Sequence, residues 1–138
     1  MNFNLKDKNF IVSGSSGGIG LGIANSLLEE GSRVFITGLN SEKLLKTFND
    51  LKLVYNDNVL CNYGNLNNPK TLNEIEIKIL NKWKKIDGIV ANAGAVKSVS
   101  DWNINKEDWN WYFENNFYSA VSFITKFTPH IIKTNGSI

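Results

Sequence analysis

The residues Val12-Ser13-Gly14-Ser15-Ser16-Gly17-Gly18-Ile19-Gly20 constrain this chain more than any other stretch. Before them, Asn9-Phe10-Ile11-Val12 is an apolar run of the length of a buried strand. After them, Leu21 to Glu30 reads as a helix, with Ile19, Ile23, Leu27 and Leu28 at helical spacing. Strand, glycine-rich turn and helix form the context in which glycine spacing points to a bound dinucleotide. The turn must be tight, which requires residues tolerant of positive φ. A pyrophosphate must reach backbone N–H groups at the helix start, so side chains there must be small or absent. Gly14, Gly18 and Gly20, with Ser13, Ser15 and Ser16 between them, meet both demands.

The rest of the chain alternates between strand-like and helical segments. Val34 to Thr37 reads as a second strand, and Ser41 as the cap of a helix carrying Leu44, Leu45 and Phe48. Asn58 to Cys61 reads as a third strand. Asn68 caps and Pro69 opens a helix with Leu72, Ile75, Ile79 and Trp83 on one face. Ile86 to Ala91 is a fourth strand, and 95–105 a loop. The spacing of Trp109, Phe113, Phe117, Ala120, Val121, Ile124 and Phe127 predicts one long helix from Lys106 to about Lys133, closed by Asn135-Gly136. Ser137-Ile138 reads as the start of a fifth strand. Such alternation means a parallel sheet covered by helices on both faces. Right-handed crossovers give the doubly wound order 3-2-1-4, with the ligand crevice between strands one and four.

Composition excludes several classes. A net charge of +2 is too small and dispersed for a nucleic-acid or membrane-surface partner. Cys61 is the single cysteine, so an internal disulfide is excluded. No apolar run approaches the ~18 residues of a membrane span, and no stretch resembles a signal peptide. One cytoplasmic domain over residues 1–138 is expected.

Three motifs in register carry a resemblance. Ser13-Gly14-x-x-x-Gly18-Ile19-Gly20 resembles the Thr-Gly-x-x-x-Gly-Ile-Gly turn of the short-chain dehydrogenase/reductase family. Ala91-Asn92-Ala93-Gly94 resembles its Asn-Asn-Ala-Gly motif after strand four, and Asn116 lies where that family places a catalytic helix asparagine. Pro129-His130 and Gly136-Ser137-Ile138 resemble the helix end and strand start that follow. Gly14-x-x-Gly17-x-x-Gly20 also fits the epimerase-like branch of the superfamily, but the Asn-Ala-Gly favours the former. The resemblance implies a Rossmann-type sheet and hydride transfer between nicotinamide C4 and a carbonyl or alcohol. It implies Gly14, Ser15, Ser16, Gly18, Ile19 and Gly20 at the pyrophosphate, and Asn92, Ala93 and Gly94 beside the nicotinamide and its ribose. Asn62 is implied as acceptor of the adenine amino group, with Tyr63 as an adenine wall. The resemblance also implies that Asn116 holds a water of the proton relay and that the intact protein is a homo-oligomer. The bland alternatives are that Asn92 binds backbone, that Asn116 is an ordinary helix residue, that His130 serves the helix C-terminus, and that Cys61 is a small buried hydrophobe.

Departures from the pattern matter equally. NAD-preferring relatives carry an acidic residue at the end of strand two; Gly38 stands there, followed by Leu39 where NADP-preferring relatives often have arginine. Asn40 and Ser15 suit a phosphate or a hydroxyl. The expectation is NADP(H) over NAD(H). The family's acid/base is a tyrosine with a lysine four residues on, whose charge lowers the phenol's pKa. Tyr55, Tyr63, Tyr112 and Tyr118 are followed at that spacing by Val59, Asn67, Asn116 and Ser122, none a lysine. The chain is therefore expected to be the N-terminal, cofactor-binding part of an oxidoreductase. The rival is a non-catalytic nucleotide-binding or interaction protein.

Overall fold

The computed structural model describes residues 3–99 and 101–138. Four strands, β1 (Asn9–Val12), β2 (Arg33–Gly38), β3 (Val59–Tyr63) and β4 (Gly88–Val90), form a parallel sheet in the order β3-β2-β1-β4. Helices α1 (Gly18–Glu29), α2 (Ser41–Tyr55) and α3 (Pro69–Trp83) connect them, and α4 (Lys106–Phe113) and α5 (Ser119–Thr134) follow β4. The expected order is thus the observed one. Ser137 adds the first bonds of a further parallel neighbour: its N–H donates to the Asp87 carbonyl at 3.2 Å, and its carbonyl accepts from Ile89 at 3.0 Å.

Strand side chains alternate between two cores, as the two-residue repeat requires. Ile11 and Phe35 face one side, where Leu72, Ile75, Ile79 and Trp83 of α3 and Phe123, Phe127 and Ile131 of α5 pack. Val12, Val34 and Ile36 face the other, against Ala24 and Leu28 of α1 and Leu44 and Leu51 of α2. Burial on both faces explains why the strands read as unbroken apolar runs.

Two expectations change. Asn40, not Ser41, caps α2: its Oδ1 accepts from Lys43 N–H at 2.8 Å, and Ser41 is the first helical residue. The long helix is interrupted by a π turn, Glu114–Tyr118, in which the Ser119 N–H reaches back five residues to the Glu114 carbonyl. The wider turn shifts the helix phase. Of the residues whose spacing predicts the helix, Trp109, Phe113, Phe117 and Val121 are exposed, whereas Phe127 is buried together with Phe123 and Ile131. The helix then runs through Pro129 to Thr134, whose hydroxyl donates to the Ile86 carbonyl at 2.8 Å.

Candidate functional site

The C-terminal ends of β1, β2 and β4 leave a cleft of about 420 Å³, within the ordinary range for small-molecule sites. Its floor is the glycine turn. Gly14 has φ +63°, and a Cβ there would lie 2.8 Å from the Ala93 Cα. A Cβ on Gly20 would lie 2.4 Å from the Gly14 carbonyl oxygen. Turn and helix start are therefore packed too closely for side chains, which answers the demand inferred from the sequence.

α1 begins at Gly18, and its first helical bond runs from Leu21 N–H to the Gly17 carbonyl at 3.2 Å. The N–H groups of Gly18, Ile19 and Gly20 consequently lack helical acceptors. No side chain caps this terminus and its first turn holds no acid. An anion is the natural complement to such an end. The residues present thus fit a dinucleotide pyrophosphate: an uncapped helix terminus, approached over glycine, opens into a cleft whose lining contains no carboxylate.

Hydroxyls and carboxamides hold the frame. Ser13 Oγ donates to the Val90 carbonyl at 3.2 Å and accepts from the N–H groups of Asn92 and Ala93, both at 2.9 Å. Asn92 Nδ2 returns bonds to the Ser13 and Gly14 carbonyls at 3.1 and 3.2 Å. Ser15 is fully buried; its Oγ donates to the Val12 carbonyl at 2.6 Å and accepts from Thr37 N–H at 3.0 Å. The β1, β2 and β4 turns are thereby stitched together before any ligand arrives.

The expected site residues divide accordingly. Gly14, Ser16, Gly18, Leu39, Asn40, Ala93 and Gly94 line the cleft. Ser15, Gly20 and Asn92 lie behind it: the Ser15 hydroxyl and the Asn92 amide group are committed to backbone, so these side chains act on the frame. Ile19 presents its side chain outward, 78% exposed beside Phe3 and Leu5. Neither Asn62 nor Tyr63 lines the cleft. Asn62 Oδ1, expected to accept from adenine, accepts from Lys78 Nζ at 2.5 Å, and Asn62 Nδ2 donates to Glu74 at 3.2 Å. The α3 side chains thus occupy both ends of that carboxamide. Lys78 and Glu74 are what take it up. Cys61 is half-buried; burial pushes its thiol up, against the lowering influence of Lys78 and Lys52.

Asn116 is brought to the cleft's rim by the π turn. Its Oδ1 accepts from Ala95 N–H and its Nδ2 donates to the Ala95 carbonyl, both at 2.9 Å, and to the Tyr112 carbonyl at 3.0 Å. A Cβ on Gly94 would come within 2.8 Å of Asn116 Oδ1. The side chain therefore clamps the strand-four loop where Ala93, Gly94 and Ala95 line the cleft. Asn115, one residue earlier, lines the cleft itself. Beyond Asn116 lies an apolar hollow of about 530 Å³ between Val96, Val99, Ile104, Trp109, Phe113 and Phe117. Trp102 does not join it and is 91% exposed. Tyr112 donates its hydroxyl to the Lys97 carbonyl at 2.6 Å.

Several cleft residues escaped the sequence reading: Thr37, Gly64, Asn65, Leu66, Lys43 and Ser119. Gly64, Asn65 and Leu66 follow the end of β3, where strand alternation carries no signal for which loop residues fold inward.

Comparison with known proteins agrees with this geometry. A family model described as short chain dehydrogenase matches residues 8–138. The chain is 31% identical to an uncharacterized oxidoreductase, YvaG, of Bacillus subtilis, over 96% of this chain and 49% of that protein. It is 32% identical to the 3-oxoacyl-[acyl-carrier-protein] reductase FabG of Chlamydia pneumoniae, over 100% of this chain and 56% of that protein. In fold it resembles the L-sorbose reductase of Gluconobacter frateurii, solved with NADPH and L-sorbose, at a TM-score of 0.88 and 23% identity, over 99% of this chain and 52% of that one. The chain spans about half the length of the curated relatives it matches. With the glycine turn, the 3-2-1-4 sheet and the family match in agreement, this chain belongs to the short-chain dehydrogenase family.

Proposed function

We propose that this chain is the cofactor-binding portion of an NAD(P)-dependent oxidoreductase that interconverts a carbonyl and an alcohol, with NADP(H) preferred over NAD(H). The observation that carries the reading is the uncapped start of α1 facing a cleft that no carboxylate lines. Gly14, Gly18 and the N–H groups of Ile19 and Gly20 receive the pyrophosphate. Leu39, Asn40 and Ser16 border the adenosine end, and Ala93, Gly94 and Ala95 the nicotinamide end. The cofactor, when bound, supplies the hydride at nicotinamide C4. The protein's own part is to orient it: Ser13, Asn92 and Asn116 fix the loop against which it lies. The hollow beyond Asn116 is apolar and suits the carbon skeleton of the carbonyl compound. One of the relatives named above is by name a 3-oxoacyl-[acyl-carrier-protein] reductase, and an acyl chain suits that hollow. The intact protein is read as a homo-oligomer, as the family resemblance implies.

A second reading rests on the tyrosines. Among these residues no tyrosine is followed four positions on by lysine, and the Tyr112 hydroxyl is bound to a backbone carbonyl. On this reading the chain binds a dinucleotide without converting a substrate. Titration of the purified chain with NADPH and NADH, followed by nicotinamide fluorescence, tests the part both readings share. A folded chain that bound neither cofactor would refute it. Reading the gene past the codon for Ile138 then separates the two: a serine and a Tyr-x-x-x-Lys encoded there support the first, a stop codon the second.

A further inference from the structure

We propose that Lys43, whose ammonium lies across Gly17, is the cation that recognises a 2′-phosphate on the adenosine ribose. The proposal deepens the dinucleotide reading above and rests on it.

Gly17 has no backbone reason to be glycine. Its φ is 174°, extended backbone open to any residue, unlike Gly14 and Gly18 beside it. Nor does it meet another main chain. A Cβ at this position would lie 2.9 Å from Lys43 Nζ and 3.0 Å from Lys43 Cε. The missing side chain makes room for the end of a lysine. That lysine comes from the first turn of α2, where its own N–H is fixed by the Asn40 cap at 2.8 Å. The side chain therefore runs back from one helix start to the other.

Among the described residues, Lys43 is the only ionisable one lining the cleft. Among the described residues its ammonium has no carboxylate or hydrogen-bond partner, whereas Lys8, Lys82, Lys85, Lys97 and Lys126 all have one. An unpaired cation beside an uncapped helix terminus favours a multiply charged anion. In dinucleotide-binding folds the ribose 2′ position lies at the end of the second strand, about 20 residues past the glycine turn. Here that place is Gly38, and Lys43 lines the cleft together with Gly38, Leu39 and Asn40. Gly38 carries no carboxylate, and a Cβ there would already lie 3.0 Å from Ser16 Oγ. A 2′-phosphate is thus unopposed and has a cation within the same wall.

The test is a fluorescence titration of the 138-residue chain and three variants, Lys43→Met, Lys43→Arg and Gly17→Ala, with NADPH and NADH. Wild type is expected to bind NADPH more tightly than NADH. Lys43→Met should weaken NADPH binding about tenfold or more, the size of one charge-assisted phosphate contact, and leave NADH within about twofold. Lys43→Arg should restore most of the loss. Gly17→Ala should lower NADPH affinity by roughly threefold and keep its thermal midpoint, because only a flexible lysine tip must move. An equal loss of both cofactors in Lys43→Met would place the lysine at the pyrophosphate and overturn the proposal, leaving the dinucleotide site intact. So would unchanged binding of both, or a wild type that prefers NADH. A folded wild type that bound neither cofactor would overturn the dinucleotide reading and this proposal with it.

Discussion

Three polar contacts meet at the Ser13 hydroxyl, which is almost fully buried between the turns after β1 and β4. Read as sequence, Ser13 is merely small. Its oxygen turns out to accept the two N–H groups that begin the Asn92-Ala93 turn. Ser13→Ala leaves both donors without that acceptor, and the expected destabilisation is about 2 kcal/mol. Urea unfolding of the variant measures it. A loss below about 0.5 kcal/mol would mean that water replaces the hydroxyl and that the turn is not held from β1. The same scale shows what sequence leaves unread. Glycines declare themselves by type, since few other residues serve at Gly14 or Gly20. Polar side chains do not. Asn62 fits an adenine acceptor as well as it fits a partner for Lys78, and the choice depends on how α3 lies against β3. Lys43 is likewise silent in sequence, because its target is Gly17, 26 residues away across the sheet top.

Among the elements, strands and early helices were legible because one periodicity governs each from end to end. Ile11 and Phe35 alternate with Val12, Val34 and Ile36 as a doubly covered sheet requires, and Leu72, Ile75, Ile79 and Trp83 all reach the core as their spacing indicates. The helix after β4 was misread because its period changes in the middle. Nothing in Glu114-Asn115-Asn116-Phe117-Tyr118 announces a π turn by composition. The two asparagines stabilise it by bonding the preceding turn, Asn115 Nδ2 to the Trp111 carbonyl at 2.8 Å and Asn116 Nδ2 to that of Tyr112 at 3.0 Å. Such turns recur at functional sites, and here the result is to bring Asn116 onto the Ala95 backbone. Asn116→Ala should therefore speed hydrogen exchange at the Ala95 amide by about tenfold, while global stability falls by about 1 kcal/mol. Asn116→Asp keeps an acceptor for that amide and should retain most of the protection. Equal exchange at Ala95 in all three proteins would remove the clamp from the account of the site.

At the scale of the molecule, the cleft depends on two helix layers holding one sheet, and the layer opposite the glycine turn's helix has its own electrostatic fastening. Glu76 of α3 meets α5 twice, at His130 Nε2 and at Lys126 Nζ, both 2.6 Å away, and Lys126 also donates to Asn73 at 2.8 Å. His130 thus ties two helices together through its side chain. Burial alone would raise the Glu76 carboxyl; the hydrogen bonds and charges of Lys126 and His130 outweigh it and hold the group below the usual glutamate range. A carboxyl whose folded pKa is depressed stabilises the fold above its unfolded pKa, and that contribution is lost as pH falls through the folded pKa. With an unfolded glutamate near pH ~4.3, the loss begins around pH 5 and is complete only well below 4. Glu76→Gln should accordingly cost about 1 kcal/mol at pH 7, the scale of a partly exposed ion pair. Its deficit relative to wild type should shrink steadily between about pH 5 and pH 3. Thermal midpoints of both proteins across that window decide the matter. A deficit that did not change with pH would assign the loss to packing between α3 and α5 rather than to charge. A shrinking deficit would place acid sensitivity of the fold at the Glu76 contacts between α3 and α5, remote from the cleft.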